Sequence, residues 1–133
     1  NYRNLISHLL DQLKQQLPPD GINVIFEGVA QSMASQAVID GASMHDRLDA
    51  IVDYLNTQGY NASWEAASEG YLLHTHNCPY HHLSAETDTL CNMDFKLIAT
   101  LVGAAPRRLS QQARGDTSCT YLIPVRSGQS LNP

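Results

Sequence analysis

The chain is expected to fold as an α+β protein, with N-terminal helices followed by a ββαββ unit whose strands form an antiparallel sheet. Three observations predict this. Residues 2–55 carry three apolar stripes at helical spacing, interrupted at Pro18-Pro19 and at Gly41. After Gly59 the period shortens to that of strands, over two short runs. A fourth helical stripe then separates those runs from a second pair of strand-like segments. At 133 residues the chain suits a single domain that can bury roughly 70% of its unfolded surface.

The first helix is expected over residues 2–17, where Leu5, Ile6, Leu9, Leu10, Leu13 and Leu17 form a one-sided stripe. Pro18-Pro19 ends it. Asp20 is the expected N-cap of the second helix, which carries Ile22, Ile25, Phe26, Val29, Ala30 and Met33 on one face. Ser43 opens the third helix with Asp46 three positions on, a capping-box pattern with a shorter acid. Its stripe is Met44, Leu48, Ile51, Val52 and Leu55, and Gly59 stops it. Residues 60–66 and 71–75 read as strands of a hairpin turning at Ser68-Glu69-Gly70. The fourth helix is expected over 85–102, ending at Gly103 as C-cap glycine. Residues 107–113 and 118–125 read as a second hairpin around Gly115-Asp116. The expected division is a linker and dimerisation helix over 1–19, an effector domain over 20–126 and a disordered tail over 127–133. The first helix has so sharp a stripe that it either packs on its own domain or pairs with a second copy.

Composition excludes some functions. The net charge is −5, with Lys14 and Lys96 the only lysines, and Arg107, Arg108 and Arg114 make one small basic patch. Nucleic-acid binding requires a basic face that neutralises phosphates, so this chain alone is expected not to bind DNA or RNA. Charged residues make up only 16%, which points to a surface partly covered by a partner or another copy. No apolar run approaches the ~18 residues of a membrane span. Three cysteines cannot all pair, and their spacing is no disulfide framework; a reducing, cytoplasmic setting is expected.

Chemistry concentrates after the first hairpin. His74, His76, His81 and His82, four of the six histidines, fall with Cys78 inside nine residues. Cys91 follows 13 positions after Cys78, and Cys119 28 positions later, each near the end of an expected element. Imidazoles and thiolates are soft metal ligands. His76 and Cys78 alternate along an extended segment, so both can point the same way. Cys78, Cys91, Cys119 and one histidine would complete a three-Cys, one-His zinc set; thiolates also hold iron–sulfur clusters. Each residue has a plainer reading. Cys91 and Cys119 could be small buried hydrophobes, His74 a surface or core histidine, His81 and His82 parts of a solvated loop, and His8 and His45 ordinary helix residues. Glu86 is the nearest acid that could serve a catalytic metal, but the chain has no HExxH and no His-x-Glu with paired cysteines, so catalysis is not expected.

Three stretches carry a resemblance: His76-Asn-Cys78-Pro-Tyr80, then Cys91 with twelve residues between, then Gly103-Ala-Ala-Pro-Arg-Arg-Leu109 and Gly115-Asp116-Thr-Ser-Cys119. With the upstream helices, most of residues 20–125 resembles the C-terminal effector domain of winged-helix transcriptional regulators, a group that includes the SufR-like iron–sulfur repressors. The resemblance implies a domain behind an N-terminal DNA-binding part, contributing to dimerisation, with Cys78, Cys91 and Cys119 matching the family's cluster thiolates. SufR-like members carry a further Cys or His where this chain has Ala104-Ala105. That leaves three thiolates with His76 or an exogenous ligand. The expectation is a metal- or iron–sulfur-responsive regulatory and homodimerising domain, its cofactor zinc or an iron–sulfur cluster at one site. DNA would be contacted only through a missing N-terminal domain, and no membrane is involved. The alternative is a non-enzymatic interaction domain whose zinc only stabilises the fold.

Overall fold

The structure, a computed structural model, describes residues 2–41, 43–76, 89–110 and 118–125. Helix α1 spans Tyr2–Gln16, α2 Pro19–Gln36, α3 Met44–Thr57 and α4 Thr89–Val102. Strands are β1 Asn61–Ala67, β2 Gly70–His76, β3 Arg107–Ser110 and β4 Cys119–Pro124. They form one antiparallel sheet in the order β1-β2-β4-β3. The expected α+β class and hairpin–helix–hairpin order are both present. The expected helical segment 85–88, the Gly115-Asp116 turn and the tail 127–133 lie outside the described residues.

Capping largely follows the sequence. The Ser43 hydroxyl accepts the Asp46 amide at 3.1 Å, closing the first turn of α3. Gly59, at φ 100, ends α3, and the Gly103 amide bonds the Ala99 carbonyl at 2.9 Å with φ 79. The second helix departs from expectation. Pro18 is its N-cap and Pro19 occupies the first turn, so Asp20 lies inside the helix. Proline's fixed φ suits that position, and the N–H it lacks would have no intrahelical partner there. Asp20 still contributes, its charge lying near the positive end of the helix dipole. Tyr60 also shifts: its amide bonds the Leu55 carbonyl at 3.2 Å, so β1 begins one residue later.

The helices cover one sheet face. Leu48, Ile51 and Leu55 of α3 and Leu97, Ile98 and Leu101 of α4 share a core with Tyr71, Leu73, Tyr121 and Ile123 of the strands. Along β2, Tyr71, Leu73 and Thr75 are buried while Leu72, His74 and His76 are half-buried, as alternation across a pleat requires. The stripes of α1 and α2 are only partly used. Leu10 joins the core and Ile6 packs on it, but Leu5 stays 63% and Leu9 56% exposed. On α2, Ile22 and Ala30 are buried while Ile25 and Val29 face outward.

Candidate metal centre

Cys119 begins β4 and is buried on the helix-covered face, with Thr75 as its Cα partner on β2. Cys91 lies in the first turns of α4 and is also buried. Neither is disulfide-bonded. Arg108 links their surroundings. It pairs with Tyr121 across β3 and β4, and its Nη2 donates to the Cys91 carbonyl at 2.9 Å. Its guanidinium lies 5.2 Å from the Phe95 ring centre and 5.9 Å from that of Tyr121, within cation–π range. Tyr121 is two residues along β4 from Cys119, on the same face. Cys91, through its backbone carbonyl, and Cys119, through Tyr121, thus both border the Arg108 cluster.

The pleat separates His76 from them. Thr75 faces the helices beside Cys119, so the adjacent His76, paired with Asn61 on β1, lies on the opposite face. His74 shares that opposite face. Its Nδ1 hydrogen-bonds the Thr120 hydroxyl at 3.0 Å, and its Nε2 lies 3.6 Å from the Glu65 carboxylate. His74 is thus engaged with neighbouring strands. Cys78, His81, His82 and Glu86 lie outside the described residues. Among the described residues no three His, Cys, Asp or Glu side chains are grouped to hold a metal. Both described thiols are soft-ligand types, and His76 lies on the sheet face opposite Cys119.

Sequence reasoning missed the buried polar cluster next to the thiols. Asp94, only 6% exposed, accepts a hydrogen bond from the Tyr60 hydroxyl, joining the start of β1 to α4. Arg108 Nε is buried and has no hydrogen-bond partner among the described residues. One signal was available. Asp94 falls four positions after Leu90 and four before Ile98, inside the apolar stripe of α4, where a charge must find a buried partner.

Tyr121 completes the cluster. Burial, then the negative charges of Asp94 and Cys119, push its pKa well above the ordinary phenol range, while Arg108 opposes the shift. A raised phenol pKa means that folding favours the neutral form. Its stabilising contribution is complete below the unfolded pKa and is lost as pH rises beyond it. The urea midpoint should fall between about pH 9 and about pH 11, and less steeply in Tyr121→Phe. Equal slopes in the two proteins would show that Tyr121 does not govern the alkaline transition.

No family model matches this chain, and neither the curated proteins nor the solved structures give a match. Among the described residues, no helix is long and apolar enough to cross a membrane.

Proposed function

We propose that this chain is a metal- or iron–sulfur-responsive regulatory and dimerisation domain of a DNA-binding transcriptional regulator. The observation that carries the reading is that Cys91, through its carbonyl, and Cys119, through Tyr121, both border Arg108, with Cys78 only three residues along the chain from Thr75, the partner of Cys119. A metal bound by the three thiolates would tie the segment after β2 to α4 and β4. Helix α4 packs on α2, and α2 meets α1, so order at the thiols has a contiguous path to the N-terminal helices. Exposed Leu5 and Leu9 on α1 suit pairing with a second copy. DNA contact belongs to a part outside these residues, and a reducing cytoplasm would keep the thiols available for ligation. For a switch, the two conformations must bind the metal with different affinity.

Anaerobic purification followed by elemental analysis and visible absorption tests the reading. One metal site per chain is expected, with a broad visible band for a cluster or a colourless zinc protein. Cys78→Ser, Cys91→Ser and Cys119→Ser should each lose the metal. Full metal content in all three variants would sink the proposal.

The burial of both described cysteines also suits a second reading, an interaction domain in which zinc is purely structural. Removing metal would then lower the melting temperature while operator affinity of the full-length regulator stays constant. Metal-dependent operator affinity would decide for the first reading.

A further inference from the structure

Away from the thiols, two adjoining cavities open where α1, α2 and α4 meet. One, of about 310 Å³, is lined by Lys14, Leu17 and Ile22 among others. The other, of about 250 Å³, is lined by Phe26, Met93 and Lys96 among others. Asn23 and Thr89 line both, so the two form one cleft with Lys14 at one end and Lys96 at the other. Its floor is apolar, Ile22 and Met93 being buried core residues.

Those two residues are the only lysines in a chain of net charge −5, and they are 82 positions apart in sequence. The arginines with described side chains are engaged elsewhere. Arg47 donates to the Leu101 carbonyl, Arg107 faces Glu69 at 3.6 Å, and Arg108 donates to the Cys91 carbonyl. Among the described residues, neither lysine has a carboxylate within 4.0 Å. Glu27 lines the cavity of Lys96 but is exposed and does not pair with it. Among the described residues, two lysines without a paired carboxylate thus border one apolar floor.

We propose that this cleft binds a linear dicarboxylate, a small molecule with an apolar middle and an anionic group at each end. The lysines would pair with the carboxylates, and the chain between them would cover Ile22 and Met93. Asn23, at the join of the two cavities, offers an amide to a polar substituent in between. An inorganic anion would use one lysine and leave the floor wet. A fatty monocarboxylate would leave one cation without a partner. The inference does not depend on the metal reading, since no cysteine lines either cavity.

Isothermal titration of the whole chain with suberate, octanoate and the matching eight-carbon diol tests it. Suberate should bind about ten-fold more tightly than octanoate, as one added charge-assisted contact implies, and the diol should not bind. Lys14→Gln and Lys96→Gln should each reduce suberate to the octanoate level, with thermal melting of the free protein unchanged. Absence of suberate binding, equal affinity for suberate and octanoate, or unaltered binding in the double variant would overturn the proposal.

Discussion

Gly70→Ala is expected to destabilise the protein by about 3 kcal/mol or more. Gly70 opens β2 at φ +151, and a Cβ there would lie 2.1 Å from the Ile123 carbonyl oxygen and 3.0 Å from Pro124 Cα. Both obstacles are backbone of the neighbouring strand β4. Relief therefore requires moving the β2–β4 ladder, and a side-chain rotation cannot provide it. The ladder runs in register from Gly70–Pro124 to Thr75–Cys119, so a shift at one end disturbs the cysteine at the other. Urea unfolding followed by circular dichroism measures the cost. A loss of about 0.5 kcal/mol or less, the ordinary range for surface substitutions, would show that the two strands can part locally.

Asp94→Ala should be nearly as damaging, by about 3 kcal/mol, because it removes a buried hydrogen-bonded charge and leaves its partners in place. The Tyr60 hydroxyl would lose its acceptor, and Tyr121 would lose one of the negative charges that raise its pKa. Asp94→Asn keeps an acceptor oxygen for Tyr60 and should cost clearly less. Tyr60→Phe tests the pair from the other side. Combined with Asp94→Ala, its effect should be strongly less than additive, since one interaction is then removed twice. Additive losses would show that Asp94 acts through groups other than Tyr60.

These two positions differ in how readable they were. Gly70 belongs to Ser68-Glu69-Gly70, recognisable as a turn from residue types alone. Its close approach to Ile123 depends on which strand lies beside β2, and that is a long-range fact. Asp94 could be noticed as a charge in an apolar stripe, yet its partner Tyr60 is 34 positions away. Helix limits were legible because caps and stripes are local: Ser43, Gly59 and Gly103 act within a turn of their own helix. The N-cap of α2 was misplaced because Asp20 and Pro19 both suit helix starts, and the proline's backbone constraint prevailed.

The proposed metal ligands divide along the same line. Cys78, Cys91 and Cys119 were recognisable from residue type and their placement near element ends, and no local rule could say which of them meet. Strand pairing brings two of them to the border of one cluster, by placing Arg108 beside Tyr121, two residues from Cys119, and against the Cys91 carbonyl. It also sets His76 apart, since adjacent residues of a strand occupy opposite faces and Thr75 takes the face of Cys119.

Periodicity, capping and turn chemistry act over a few residues, so local sequence accounts for the α+β class, the order of elements and most of their ends. Which faces those elements share is settled by long-range packing. The strand order β1-β2-β4-β3 and the β2–β4 register place Cys119 on the helix-covered side and His74 and His76 on the other. The packing of α1, α2 and α4 brings both lysines to one cleft. Those juxtapositions arise from burying apolar surface between segments far apart in the chain, a global requirement that no short stretch of sequence encodes.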